Sequence, residues 1–172
     1  DKAVLITGAA RRVGAEIART LHAEGANLAL HYRSAAAEAQ ALVAEFNAAR
    51  PGSALAFQAD LLETDHLARL VTDVAEHFGR LDALVNNASS FFATPIGSIG
   101  EREWDDLLGT NLKAPLFLAQ AAATHLAVAR AGVLESVKGV PLGAERGGGR
   151  LGAPLVLLEG TDEIGRAPCR QT

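Results

Sequence analysis

Thr7-Gly8-Ala9-Ala10-Arg11-Arg12-Val13-Gly14 is the stretch that decides the fold. Before it lies a short apolar run, Lys2 to Thr7, and after it Val13, Ile17, Ala18 and Leu21 recur at helical spacing. A continuous apolar run of this length suits a buried parallel strand, and a one-sided stripe marks an amphipathic helix. Glycines gain chemical meaning when they join a strand to a helix in this way. Gly8 permits a tight turn, and Gly14 allows close approach of the helix. The helix start presents backbone N–H groups and the positive end of its dipole, which suits a pyrophosphate. Arg11 and Arg12 add charge where phosphates would sit. Such a turn also occurs with no ligand, but its place in a βαβ unit favours a nucleotide.

Outward from this turn the pattern repeats. Leu28 to His31 predicts a second strand. Ala39, Leu42, Val43 and Phe46 mark a second helix that must end before Pro51, and Gly25 is placed to close the first. Leu55 to Gln58 predicts a third strand closing at Asp60. Leu67, Leu70, Val71, Val74 and Phe78 form a third helical stripe ending at Gly79, with Thr64 as a candidate N-cap. Ala83 to Asn86 predicts a fourth strand. A polar loop, Asn87 to Gly100, leads to a long helical segment from Glu101 to Leu126, bent near Gly109. Alternating strands and helices predict an α/β fold, a Rossmann-type doubly wound parallel sheet.

The end of the second strand bears on the choice of cofactor. An acidic residue about 20 residues past the glycines would hold a ribose 2′-hydroxyl and favour NAD. That place reads His31-Tyr32-Arg33-Ser34, with no carboxylate. Arg33 and Ser34 could grip a 2′-phosphate, with Arg12 near enough to help, although a lone loop arginine is more often simply solvated. The missing acid and the added cation together favour NADP(H).

Bulk properties limit the alternatives. The 172 residues suffice for one domain with a real core; 49% are hydrophobic and 21% charged. A net charge of −4 with no basic cluster argues against nucleic acid as the main partner. No apolar run approaches the roughly 20 residues of a bilayer span, and no secretory signal pattern is visible. Cys169 is the one cysteine, so an internal disulfide is excluded, which fits a reducing compartment and predicts a cytoplasmic location. No metal site is expected. The chain begins at Asp1 and contains no methionine, so its true start is expected to lie upstream.

The glycine turn resembles that of the short-chain dehydrogenase/reductase family, whose motif is T-G-x-x-x-G-x-G. Here Arg12 stands at the middle glycine, a departure typical of the pteridine reductases. Leu30 to Ala36, Gln58-Ala59-Asp60-Leu61, Leu84 to Phe91 and Thr94-Pro95 resemble the same subgroup. Asn86-Asn87-Ala88-Ser89-Ser90-Phe91 is the most specific of these, since most relatives read Asn-Asn-Ala-Gly. The resemblance covers residues 2 to 126 and implies an NADPH-dependent oxidoreductase acting on a small, pterin-like molecule. Asp60 would accept a bond from the adenine amino group, beside Leu61. Asn87 and Ala88 would line the cofactor ribose. Ser89 would touch both cofactor and pterin, and Phe91 would stack on the pterin ring. Val13 and Tyr32 complete the implied cofactor site. Asn111 falls where the family places a catalytic-site helix Asn, although an Asn at a helix kink explains it equally. A homo-oligomer is implied for a complete family member. The alternatives are a non-catalytic NADP-binding fragment, or a reductase of another carbonyl substrate such as a 3-oxoacyl thioester; Ser89-Ser90-Phe91 argues against the latter.

One element of the family's chemistry is missing. Its general acid is the Tyr of a Tyr-x-x-x-Lys pair. The single tyrosine here is Tyr32, in the cofactor region, so Lys138 has no partner at that spacing. After Leu126 the resemblance stops. Residues 127–172 are rich in Gly and Arg and predict an irregular tail, apart from Gly132 to Val137 as a remnant fifth strand and the apolar run Leu155 to Leu158. GC-rich DNA read in a shifted frame gives such a composition, and Glu163-Ile164-Gly165-Arg166-Ala167 resembles a translated sequencing adapter. The expectation is therefore a truncated or frame-shifted product whose sheet is incomplete on its C-terminal side.

Overall fold

The computed structural model describes residues 1–129, 132–136 and 155–158. The Gly147–Gly149 run, Lys138, the 163–167 stretch and Cys169 lie outside the described residues. Strand β1 (Ala3–Ile6) is buried along its whole length and lies at the centre of the sheet. The chain passes through α1 (Arg12–Ala23) to β2 (Asn27–Tyr32), then α2 (Ala36–Ala49) to β3 (Ala54–Gln58). It next crosses to the other side of β1 by way of α3 (Leu67–Phe78) and β4 (Ala83–Asn86). The sheet order is β3-β2-β1-β4-β5-β6, where β5 is Gly132–Ser136 and β6 is Leu155–Leu158. All pairings are parallel except β5 with β6. This is the doubly wound Rossmann-type arrangement, with its topological switch at the C-terminal ends of β1 and β4.

Alternation along each strand divides the core into two layers. Leu5, Ala29 and Leu84 face α3 and the last long helix, meeting Leu67, Val71, Val74, Leu118 and Ala122. Val4, Ile6, Leu28, Leu30 and Val85 face α1 and α2, meeting Ala18, Leu42 and Phe46. At the end of α1, Gly25 takes φ +89° and donates to His22 O at 3.0 Å, while Ala26 donates to Leu21 O at 3.0 Å. These are the two bonds of a Schellman closure, which needs the left-handed conformation that glycine adopts without a Cβ penalty.

Local expectations change or sharpen at three places. Thr64 does not cap α3; it opens a short 3-10 turn, Thr64–His66, and the residue before α3 is His66, with no side-chain cap bond. The bend near Gly109 is a widened π turn, Gly109–Lys113, between α4 (Glu101–Leu108) and α5 (Ala114–Ala129). Pro115 has no N–H, so the Asn111 carbonyl cannot receive the ordinary i+4 bond, and a π turn relieves the mismatch. At Gly109 a Cβ would lie 2.5 Å from Leu62 Cδ2, so a larger residue there would require the partly exposed Leu62 side chain to shift. The helix continues past Leu126 to Ala129; the remnant fifth strand expected at Gly132 to Val137 is β5, Gly132–Ser136, and the apolar run Leu155–Leu158 is a further strand, β6.

From Glu101 to Ala129 the helical stretch spans 29 residues with a mean hydropathy of 1.2 in its most apolar part, enough by length and composition to cross a membrane. It is not an uninterrupted apolar run, since Asn111, Lys113, Gln120 and His125 break it. Its buried residues, Ala114, Leu118, Ala122 and Leu126, cover the sheet beside α3. A core-covering helix passes the same length and hydropathy test as a span.

Candidate functional site

The loops leaving the C-terminal ends of β1, β2, β3 and β4 enclose a cleft of about 370 Å³. Small-molecule sites fall in roughly the 300–1,000 Å³ range, and in open α/β sheets they lie at this switch point. Every residue that the sequence assigned to the cofactor lines it: Gly8, Arg11, Arg12, Val13 and Gly14 from the first turn; Tyr32, Arg33 and Ser34 from the second; Asp60 and Leu61 from the third; and Asn87, Ala88 and Ser89 from the fourth. Ala10, His31, Ala35, Ser90 and Thr110 join them without having been singled out.

The first and fourth turns are locked together by buried polar bonds. Thr7 Oγ1 accepts from the N–H groups of Asn87 (2.9 Å) and Ala88 (3.0 Å) and donates to Val85 O (3.3 Å). Asn87 Nδ2 donates to Thr7 O (2.9 Å) and Gly8 O (3.1 Å). Little space remains between the turns. A Cβ on Gly14 would lie 2.3 Å from Gly8 O and 2.6 Å from Asn87 Nδ2, and Gly8 itself takes φ +62° with Ala88 Cα 3.0 Å from where its Cβ would be. The two glycines thus do what the sequence reading assigned to them. Arg12 holds φ +52° where the usual motif has glycine, an uncommon state for a residue with a Cβ.

Charge on the mouth of the cleft is positive. Arg11, Arg12 and Arg33 line it and are exposed. Arg11 Nε donates to Glu38 Oε1 at 2.8 Å from the first turn of α2. Glu38 has its carboxyl held below its ordinary range by its own backbone N–H and then by Arg11. Gln58 Nε2 donates to Arg33 O at 3.1 Å, pinning the strand end that carries Arg33. Asp60 Oδ1 accepts from Leu62 N–H at 3.0 Å, which fixes the third turn.

His31 lies beneath the first turn and is 2% exposed. Its Nδ1 accepts from Gly8 N–H at 3.2 Å, and the proton on Nε2 is directed to Ala59 O at 3.1 Å. Desolvation lowers its pKa to about 4, against smaller opposing effects from the Ala59 carbonyl and Asp60, so the ring is neutral.

The residues that the resemblance assigned to substrate and catalysis are not brought together with the cleft lining, Ser89 excepted. Asn111 does not line the cleft. It braces the loop after β4 by accepting from Ser90 N–H (3.2 Å) and donating to Ser90 O (2.9 Å), while Ser90 Oγ donates to Asp106 O at 3.3 Å. Phe91 is 92% exposed and also stands outside the lining, although Ser89 and Ser90 belong to it. Among the described residues no group of His, Cys, Asp or Glu is arranged to hold a metal.

A dinucleotide fits what these residues offer. The helix start is free of side-chain caps, the glycine cradle admits close approach of a ligand, and Asn87 Oδ1 is buried without a hydrogen-bond partner, suited to accept from a ribose hydroxyl. Fold and site together define a dinucleotide-binding α/β protein. The family model for short chain dehydrogenases matches residues 2–139, and the chain belongs to that family. It is 42% identical over 158 residues to pteridine reductase 1 of Leishmania tarentolae, covering 74% of this chain and 55% of that protein. It is 35% identical over 139 residues to a 3-oxoacyl-[acyl-carrier-protein] reductase FabG of Staphylococcus aureus, covering 81% of this chain and 56% of that protein. A hydroxynaphthalene reductase-like protein Arp2 of Metarhizium anisopliae is also 35% identical, over 146 residues, covering 81% of this chain and 54% of that protein. The chain thus spans about half the length of the curated relatives it matches.

Proposed function

We propose that this chain is the cofactor-binding part of an NADPH-dependent reductase of pterin-like small molecules. One observation carries the cofactor choice: Arg11, Arg12 and Arg33 ring the same cleft mouth, and β2 ends in Tyr32-Arg33-Ser34 with no carboxylate to hold a ribose 2′-hydroxyl. The α1 start would bind the pyrophosphate, Asn87 would accept from the nicotinamide-side ribose, and Asp60 would mark the adenine end. When bound, NADPH supplies a hydride from its nicotinamide ring. Ser89 and Ser90 present polar groups at the reacting end of the cleft, and Asn111 holds their loop in place. The pterin assignment draws on the similarity to a pteridine reductase and on the Asn86 to Phe91 motif. A cytoplasmic location belongs to the same proposal, since one cysteine permits no internal disulfide.

A second reading has its own observation. The reduction also needs a proton, and the only tyrosine, Tyr32, lies on the adenosine side of the cleft as assigned here. These 172 residues would then bind NADP without turning over. A carbonyl substrate such as a 3-oxoacyl thioester is a third reading, supported by the FabG similarity. Fluorescence titration with NADPH and NADH tests the cofactor claim, with NADPH expected to bind at least about tenfold tighter through its 2′-phosphate. Equal affinities would overturn it. NADPH oxidation assayed with biopterin and with an acetoacetyl thioester separates the rest: turnover of biopterin alone supports the main reading, turnover of the thioester supports the third, and binding without turnover supports the second.

A further inference from the structure

We infer that His31 is a positioning residue of the nucleotide cleft: its neutral ring, protonated on Nε2, clamps the Gly8 amide and so fixes the turn that receives the phosphates. This rests on the NADPH reading above. No motif points to His31; its role follows from what surrounds it. Two successive amides of the first turn end on this residue, Gly8 N–H on the ring Nδ1 at 3.2 Å and Ala9 N–H on the backbone carbonyl at 2.9 Å. The far side of the ring reaches Ala59 O at 3.1 Å, next to Asp60. One buried side chain therefore ties together the three loops that carry Gly8–Gly14, Tyr32–Ser34 and Asp60–Leu61.

The chemistry selects histidine. The site needs an acceptor facing one loop and a donor facing the opposite one, on a rigid spacer. A neutral imidazole provides both, and its tautomer is set by its two partners. Burial keeps the ring neutral and protects the acceptor nitrogen from protonation. With Gly8 and Ala9 N–H groups consumed, the amides left for phosphate are those at the start of α1, beside Arg11 and Arg12. The clamp thus selects the part of the turn that meets the ligand.

Two amide side chains divide the two bonds. In His31→Asn, the Oδ1 falls near the place of Nδ1 and keeps the acceptor for Gly8. In His31→Gln, the longer side chain carries its amide to the place of Nε2 and keeps only the bond to Ala59. His31→Asn should hold NADPH within about threefold of the parent chain, whereas His31→Gln should lose about tenfold or more. Gly8 amide exchange, followed by NMR without nucleotide, should stay protected in the parent and His31→Asn and speed up in His31→Gln. The parent's imidazole 15N shifts should report a bare Nδ1 and a protonated Nε2 at neutral pH. Thermal melts of both variants confirm that a binding loss is read on folded protein. If Gln matches Asn in both exchange and binding, or if Nδ1 carries the proton, the inference is overturned. If the parent binds neither nucleotide, the cofactor reading fails, while Gly8 exchange and the imidazole shifts still decide the clamp.

Discussion

The cleft and the loop that follows β4 are built differently. Around Gly8 and Asn87, polar groups meet across two turns with almost no free space: the side chains of Thr7, Asn87 and His31 together make or receive seven bonds within the buried or half-buried interior. From Phe91 to Trp104 the chain carries large apolar side chains outward instead. Phe91 is 92% exposed, Ile96 fully exposed, and Ile99 and Trp104 more than half exposed. Burial of a large side chain contributes about 1.5–3 kcal/mol, so leaving four exposed gives up much stabilisation. The cleft around Gly8 and Asn87 is thus braced by the described residues themselves, whereas the loop after β4 leaves its large apolar side chains exposed and outside the cleft lining.

The sharpest way to break this contrast is at Gly14. Replacing it with Val should abolish NADPH binding and lower stability by about 3 kcal/mol or more, because the new Cβ meets a carbonyl and a buried amide that cannot move independently. A folded, nucleotide-binding Gly14→Val chain, seen by calorimetric melting and fluorescence titration, would mean that the turns are far looser than the contacts imply.

The next effect is on pH dependence. His31 has a folded pKa of about 4 against an ordinary value of 6.5. Between those values the unfolded chain binds a proton that the folded chain refuses, so stability is highest above the ordinary value and falls as pH drops. The slope is about 1.4 kcal/mol per pH unit, and the full loss about 3 kcal/mol by pH 4. His22, also lowered by burial, adds to the loss in the same direction. Asp82 adds to it below the carboxylate range: burial opposes its ionisation, but Arg80 and the Ala3 N–H hold its pKa down overall, and that stability goes as pH falls through the folded pKa. Denaturant melts between pH 7 and 4 should show the slope, and His31→Asn should flatten most of it. An unchanged slope in His31→Asn would place the acid sensitivity elsewhere.

How much of this was legible in the sequence follows the same division. Gly8, Gly14 and the arginines could be read because their roles are local: a turn, a helix start and a charge lie within one short stretch. The strands could be read because each carries a short continuous apolar run, Ala3–Ile6, Leu28 to Leu30, Ala54 to Phe57 and Ala83 to Val85, packed between helices on both faces of the sheet. His31 could be quoted but not interpreted, because its meaning depends on Ala59 O, which only the β2–β3 pairing brings near. The π turn was anticipated only as a bend; its cause, a proline four residues after Asn111, was written in the sequence and not used. Phe91 is the opposite case: a stacking role came from the family motif, and the ring is exposed outside the cleft lining, so the free chain alone carries no sign of that role. Gly132 to Val137 and Leu155 to Leu158 stand out in the sequence only as a remnant strand and a short apolar run; their sheet partners, β4 for the one and each other, come from pairings that periodicity does not carry.

Arg33→Ala measures the charge at the cleft mouth. It should weaken NADPH by about tenfold and leave NADH within about twofold, since only the former has a 2′-phosphate for Arg33 to meet. Equal losses for both nucleotides would shift Arg33 to the pyrophosphate and remove the basis for cofactor choice. The NADPH difference should also shrink with added salt, because the arginine is exposed.

The smallest effect is expected at Phe91, and its smallness is informative. A ring 92% exposed contributes almost nothing to the free chain, so Phe91→Ala should shift stability by less than about 0.5 kcal/mol and NADPH affinity hardly at all. If the pterin reading holds, the same substitution should still weaken pterin binding to the NADPH-loaded chain, because ligand and ring would then stack and lose their solvent together. The free chain and the loaded chain thus give opposite readings of one side chain. A large loss of stability in the free chain would mean that Phe91 is packed in solution and that the loop after β4 is more closed than its exposure indicates. A pterin titration identical in parent and Phe91→Ala would leave the ring outside the site and pass substrate recognition to Ser89 and Ser90, whose loop Asn111 already holds in place.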